Sequence, residues 1–368
     1  MNIVLVATKA ITINQFLTPF IERCINKGDN LTILCKNTHE LHTLNCENGI
    51  NLIEFNFPSS ISEIFNPIQM ICKIIKLRGF IIAHRGFIFY THTPISSHML
   101  RISSIFLNVK LVYHVHGFRF HGKGKKVDFF FKMIEVLLSR FTTKFIAINK
   151  EDYDFIDKDL KKDVSIVHGV GVDIKKLKEI FINTKKANKN IVIGVVGAYK
   201  KEKGYDDILD LIKIFKTNKK IEVHCYGYGD QSRFLLKTAD LDIMNNIDIH
   251  FHCFSDNILK IISEFDLLIH PSRREGLPVS VMEAMCLGVP IIATNIRGCR
   301  DLINDKIDGR LYPPKDVHAL NAILGDFLKN KDKYDNYAKL AQSKCIKNFD
   351  AKEKAKEMYG IVGEVYES

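Results

Sequence analysis

Two glutamates, Glu275 and Glu283, are separated by seven residues in the run Leu267-Leu-Ile-His-Pro-Ser-Arg-Arg-Glu-Gly-Leu-Pro-Val-Ser-Val-Met-Glu-Ala-Met285. The apolar stretch ending at His270 reads as a buried strand, and the run from Pro278 reads as a helix. The loop between them carries Glu275 and Gly276 to the strand end. Proline suits a first helical turn, where its missing N–H has no partner to lose. The free N–H groups of that turn, together with the helix dipole, form an anion site, and Gly276 lets a ligand approach the backbone. A carboxylate beside such a site is a poor phosphate ligand but a good acceptor for sugar hydroxyls. The chemistry suggested is a diphosphate at the helix start, with one carboxylate for a ribose and the other for a second sugar.

Three further segments bring groups of complementary kind. In Val195-Val-Gly-Ala-Tyr-Lys-Lys-Glu-Lys-Gly204 a strand ends at Gly197, and Lys203 follows in the loop, where its ammonium can neutralise a diphosphate as a point charge. In Leu111-Val-Tyr-His-Val-His-Gly-Phe-Arg-Phe120 a strand runs into His116-Gly117, and Thr91-His-Thr-Pro94 places His92 at another strand end. A histidine so placed can donate to a sugar hydroxyl or take up a proton. Tyr226-Gly-Tyr-Gly229 and Cys253-Phe-Ser-Asp256 follow strands as well, but the bare Gly-x-Gly lacks the third glycine of a dinucleotide fingerprint. No Asp-x-Asp pair falls at a strand end. Asp152/Asp154 and Asp240/Asp242 lie in segments of helical pattern, so no metal and no cofactor is expected.

The order Glu-Gly-x-Pro-x-x-x-x-Glu-Ala-Met, followed by Gly288-Val-Pro-Ile-Ile-Ala-Thr294 and Arg297-Gly298, closely resembles the retaining family-4 glycosyltransferases of GT-B fold, most of all those of capsule, O-antigen and exopolysaccharide synthesis. The resemblance implies that Glu275 touches the donor sugar or the diphosphate side and that Glu283 binds the ribose hydroxyls. The backbone around Gly276, Leu277 and Pro278 would hold the distal phosphate, with Gly197 and Lys203 on its other side. Tyr226, Gly227 and Phe254 stand where the family forms its base pocket. His116 corresponds to the family's active-site histidine and is paired with Glu275 as catalytic, while Gly117, Arg119 and His92 are assigned to the acceptor side. Ala198 stands where the family commonly has an arginine, leaving Lys200 or Lys201 to supply that charge. The reaction implied is transfer from a nucleotide diphosphate sugar, UDP being the commonest carrier, with retention at the anomeric carbon and without metal.

These residues must be positioned by alternating elements. Strands are expected at Ile3–Ala7, Leu31–Cys35, Phe87–Thr91, Lys110–His114, Phe145–Ile148 and Val164–Val167, and again at Ile191–Val196, Ile221–Tyr226, Ile247–Phe251, Leu267–His270 and Pro290–Ala293. Segments of helical period lie between them, including Asn14–Asn26, Pro94–Leu107 and Val127–Phe141. The pattern is α/β, with two Rossmann-like doubly wound domains facing a central cleft and ligands beyond the carboxyl ends of the strands. A chain of 368 residues exceeds what one core usually supports. The polar stretch 183–190 reads as a linker between an acceptor-side domain, 1–182, and a nucleotide-sugar domain, 191–349. The tail 350–368 reads as an amphipathic helix packing back on the first domain, with Ala351, Ala355, Met358, Tyr359 and Val362 on its apolar side.

Composition narrows the setting. Nine scattered cysteines with no C-x-x-C pair suggest neither a zinc site nor a disulfide framework. The N-terminus lacks the basic region and apolar length of a signal peptide, and no apolar run reaches the roughly 18 residues of a membrane span. A cytoplasmic protein, peripheral at the inner membrane face, is the expectation. The net charge of +11 is one-sided: residues 1–150 carry 18 Lys plus Arg against 8 Asp plus Glu, whereas the rest is close to balanced. Such a field attracts an anionic membrane surface and suits a polyprenyl-diphosphate-linked or glycan acceptor. Two other readings are a GT-B-like sugar-nucleotide epimerase and, from the basic pI, a nucleic-acid-binding protein; against the latter, no nucleic-acid-binding motif is present.

Overall fold

The structure is a computed structural model that describes residues 1–41, 49–58, 63, 66–118, 120, 126–183, 190–238 and 246–368. Two compact units make up the chain. The first comprises Met1–Val170 and Ala351–Ser368, and the second Gly171–Asp350.

The first unit is built on seven parallel strands: β1 (Asn2–Lys9), β2 (Asn30–Lys36), β3 (Asn51–Glu54), β4 (Ile88–Thr91), β5 (Lys110–Val115), β6 (Lys144–Ala147) and β7 (Val164–Ile166). Their order in the sheet is β3-β2-β1-β4-β5-β6-β7. Both faces are covered, which is why β1 is continuously apolar and not alternating. Ile3, Leu5 and Ala7 point into one core with Ile13, Phe20 and Ile33. Val4 and Val6 point into the other with Leu77, Leu100 and Phe145. The closing helix, Ala351–Glu367, belongs to the first of these cores through Ala355, Met358, Val362 and Val365.

The second unit repeats the plan with β8 (Ile191–Val196), β9 (Ile221–Gly227), β10 (Ile247–Cys253), β11 (Leu267–His270), β12 (Ile291–Thr294) and β13 (Arg310–Tyr312), all parallel and ordered β10-β9-β8-β11-β12-β13. In each sheet the strand order reverses direction beside the first strand of the unit. That reversal point is the place where doubly wound sheets take ligands. The flanking strands are β1 and β4 in the first unit, and β8 and β11 in the second.

Several expectations need correction. The helix expected over Asn14–Asn26 is two helices, Ala10–Phe16 and Thr18–Asn26. Pro19, in the first turn of the second, has no N–H to continue an upstream helix. Edge strands β3 (Asn51-Leu-Ile-Glu54) and β13 (Arg310-Leu-Tyr312) escaped notice because, lying at sheet edges, they carry polar residues at their ends and no continuous apolar run. The units divide at Val170/Gly171 and not at 182. Helix Ile174–Asn183 buries Ile174 and Leu177 against the helices Ile258–Glu264 and Val279–Cys286 of the second unit. Polarity marked a loop there, whereas the boundary is set by where packing changes partner. Of the expected linker, 184–189 lies outside the described residues, as do Asp240 and Asp242. The described cysteines are all free thiols, six of them buried.

Candidate active site

In the second unit the loops after β8 and β11 meet at the reversal point. After β8 the chain passes Gly197, makes a tight turn over Lys201–Lys203 and enters helix Tyr205–Ile214 through Gly204 at φ +75°. A side chain at Gly204 would collide with the carbonyl of Pro271 in the loop after β11, so only glycine lets the two loops touch. Arg273 N–H donates to the Glu202 carbonyl at 2.7 Å, and the Arg273 guanidinium bonds Asp207 at 2.5 Å. On the far side of the β11 loop, Gly298 presses against the Gly276 carbonyl with no room for a Cβ. Arg297 Nε donates to the Glu275 carbonyl at 3.1 Å. The loop bearing the first glutamate is therefore clamped from both flanks.

This clamp brings Lys203 and Glu275, 72 positions apart, into an ion pair. Lys203 Nζ donates to Glu275 Oε1 at 2.5 Å. The same oxygen accepts from Ser272 Oγ at 2.7 Å, and His270 Nε2 lies 3.2 Å from it. Burial pushes the Glu275 carboxyl up, but His270 and the Lys203 ammonium more than reverse this and hold it at about 2. Glu275 is thus a fixed carboxylate with Oε1 saturated by the protein. Its Oε2 makes no hydrogen bond to any described residue. Lys203 is paired and not free, while Lys200 and Lys201 are exposed.

Glu283 differs in every respect. It is half-buried on helix Val279–Cys286, and its side chain has no hydrogen-bond partner among the described residues. Burial raises its carboxyl to about 7, with Lys176 pulling weakly the other way. Two carboxylates near one loop thus sit on opposite sides of their ordinary range. The helix between them begins at Val279 with Pro278 as its cap residue, and no side chain caps its first turn. Its leading N–H groups, with the dipole behind them, form an anion site facing the loop. Leu277 is buried beneath it.

The aromatic residues divide. Tyr226 stacks on His252 with ring centroids 4.3 Å apart, extending a row that includes His224. Phe254 instead stacks at 4.0 Å on Tyr228, both rings partly exposed at the ends of β10 and β9. Gly227 packs against the Gly197 carbonyl without room for a side chain, drawing the ends of β8 and β9 together. Sequence reasoning missed Tyr228, although it lies within the quoted Tyr226–Gly229 motif. It also missed His270, Ser272 and Arg297, which hold Glu275. For the first two the available signal was their position at the end of β11, on the approach to the glutamate.

In the first unit His92, His114 and His116 gather at the ends of β4 and β5. His92 Nδ1 and His116 Nε2 are 3.0 Å apart, and Tyr90 Oη bonds His114 Nδ1 at 2.9 Å. His92 and His114 are fully buried, and His116 alone has solvent exposure. Burial lowers the pKa of all three, His116 to about 4. His92, expected to face an acceptor, is instead fully buried against His116 and presents no surface of its own. Gly117 takes φ +108° and turns the chain away after His116. Arg119 lies outside the described residues. The three histidines belong to the first unit, whereas Glu275, Lys203 and Glu283 belong to the second.

Residues 176–344 match the family model described as glycosyl transferases group 1. The chain carries a group 1 glycosyltransferase domain. Both glutamates, Lys203, Tyr228 and Phe254 fall within it. One relative of this glycosyltransferase is the UDP-Gal:alpha-D-GlcNAc-diphosphoundecaprenol alpha-1,3-galactosyltransferase of Escherichia coli, 27% identical over 68% of this chain and 67% of that protein. Another is the N,N'-diacetylbacillosaminyl-diphospho-undecaprenol alpha-1,3-N-acetylgalactosaminyltransferase of Campylobacter jejuni, 24% identical over 61% of each chain. The aligned segment thus spans about two thirds of these relatives. Among solved structures, Anabaena HepE in complex with UDP superposes with a TM-score of 0.75 at 18% identity, covering 99% of this chain and 100% of that one. The lipopolysaccharide outer core galactosyltransferase WaaB gives 0.72 at 17% identity, covering 99% of each. The fold is GT-B.

Proposed function

We propose that this glycosyltransferase moves a hexose or N-acetylhexosamine from a UDP-sugar to a polyprenyl-diphosphate-linked glycan, with retention at the anomeric carbon and without a metal at the diphosphate. The observation that carries this reading is the pair of unlike carboxylates flanking an uncapped helix start. Glu275, ionised and rigid with Oε2 open, suits a hydroxyl of the donor sugar. Glu283, unpartnered, suits the two ribose hydroxyls. The amides of Val279 and its neighbours, with Lys203, take the diphosphate and stabilise it as leaving group through fixed dipoles and charge. The exposed Tyr228–Phe254 stack offers a flat apolar surface to a base. Both relatives of stated activity act on undecaprenyl-diphosphate-linked sugars by name, which supports the acceptor class.

A lipid-linked acceptor requires the protein to reach a membrane. No described helix is long and apolar enough to cross one. Two helices of the basic first unit nonetheless expose large apolar side chains. Helix Pro67–Ala83 presents Ile68, Ile71 and Ile75, and helix Lys126–Leu138 presents Val127, Phe129 and Phe130. Apolar faces beside a basic surface suit peripheral binding to anionic lipid.

The test is to incubate the EDTA-treated protein with UDP-sugars singly and with synthetic polyprenyl-diphosphate sugars, then weigh the lipid products. A mass gain of one hexose or N-acetylhexosamine, with an axial anomeric linkage by NMR for an α-donor, is expected. An altered free nucleotide sugar without acceptor would establish the epimerase reading instead. An inverted linkage, or activity restored only by Mg2+ or Mn2+, would refute the mechanism.

A further inference from the structure

His92, His114 and His116 form a denser cluster than one acid–base group requires. β4 and β5 pair with Thr91 opposite Tyr113, so His92 follows directly beside His114. His116, two residues on, shares the face of His114. One ring nitrogen from each lies within 4.8 Å of the other two. Tyr90 engages His114 through Nδ1, which leaves its Nε2 as the nitrogen available to a ligand. Nε2 of His92 and Nε2 of His114 are both buried with no hydrogen-bond partner among the described residues. A buried ring nitrogen without a partner costs free energy, and a cation held by His114 Nε2 together with His92 Nδ1 and His116 Nε2 removes that cost at His114.

We propose that His92, His114 and His116 form a three-imidazole site for a borderline divalent transition metal, Zn2+ foremost, with one coordination position left open toward solvent beside His116. The all-nitrogen donor set selects this class over Mg2+ and Ca2+, which require oxygen ligands. Two ligands on tetrahedral zinc stand roughly 3.3 Å apart. His92 Nδ1 and His116 Nε2 are already 3.0 Å apart, and drawing in His114 needs ring shifts on the order of 1 Å. Tyr90 would act as the outer partner that fixes the orientation of a ligating imidazole. The site lies wholly in the first unit.

The experiment is titration of the untagged, EDTA-stripped full chain with Co2+ by visible absorption and with Zn2+ by calorimetry. One equivalent should bind, and Co2+ should give an intense tetrahedral ligand-field band without thiolate charge transfer. His116→Ala, at the partly exposed position, should abolish the band. Tyr90→Phe, which keeps the ring and its packing, should weaken zinc roughly 10-fold or more. Circular dichroism would confirm that each variant folds. His224→Ala/His250→Ala, which alters the other histidine row, should leave binding unchanged. Absence of the band, its survival in His116→Ala, or its loss only in the His224→Ala/His250→Ala variant would overturn the proposal.

Discussion

Binding of a UDP-sugar should depend on pH through Glu283 alone. Burial holds this carboxyl at about 7 in the free protein. In the proposed function ribose hydroxyls donate to it, so the nucleotide would bind the ionised form and displace the proton from the neutral one. The ionised fraction of a group with pKa about 7 is roughly 0.09 at pH 6 and 0.91 at pH 8. If the bound pKa falls well below 6, affinity rises about 10-fold between those values, or about 1.4 kcal/mol. Affinity should reach a plateau above pH 8. The diphosphate of a UDP-sugar, esterified at both ends, contributes no titration in this window. Glu283→Gln should flatten the profile and bind weakly throughout. Lys176→Ala, which removes the weak attraction on the carboxylate, should move the midpoint upward. Calorimetry in buffers of different ionisation enthalpy would show nearly one proton released near pH 6 and little near pH 8. A flat profile, tighter binding in acid, or the same profile in Glu283→Gln would refute the reasoning. For folding of the free protein the sign is opposite. A raised carboxyl pKa favours the folded state below about 4.5 and loses that advantage as pH climbs through 7.

Glu275→Gln should lower kcat/KM about 100-fold, about 2.7 kcal/mol, with little change in fold, because Gln cannot accept from Ser272, Lys203 and substrate as an anion does. Lys203→Met should cost a similar factor, and the double variant should lose less than the product of the two, since they share one ion pair; additive losses by steady-state kinetics would contradict this. In the first unit, Glu135 is buried with Arg101 at 2.9 Å and His98 at 2.7 Å. Burial pushes its carboxyl up, and Arg101 and His98 bring it down to about 2. Glu135→Ala should therefore destabilise by about 3–5 kcal/mol in urea unfolding at pH 7. The wild-type contribution should be full above about pH 4.5 and fade toward pH 2. Phe129→Ser with Phe130→Ser should weaken sedimentation with anionic vesicles while transfer to a water-soluble acceptor continues.

The fold was largely legible because parallel strands covered on both faces write themselves as apolar runs, as β1 and β11 do. What escaped was either an edge strand without an apolar run, like β3 and β13, or decided by packing, like the allegiance of helix Ile174–Asn183. Backbone requirements leave a signature where chain meets chain: Gly298 presses on the Gly276 carbonyl, and Gly204 on that of Pro271. Partnerships across 72 positions, such as Lys203 with Glu275, leave no local trace. Nor does burial, which places His92 beneath His116 and gives Glu275 and Glu283 unlike charge states despite identical side chains. The exposed stack of Tyr228 on Phe254 depends on β9 and β10 ending level, a property of register and not of either motif.

The helix Ala351–Glu367 has a consequence for how the protein is made. Ala355, Met358, Val362 and Val365 lie in the same core as Ile3, Leu5 and Phe20, so residues translated late complete the unit that was begun first. The second unit, Gly171–Asp350, emerges earlier as an unbroken stretch and can fold on the ribosome while the first still lacks part of its interior. A premature stop near residue 350 would spare every donor-site residue and still leave the core behind β1 uncovered. Emergence of this helix is thus the event that closes the histidine-bearing unit.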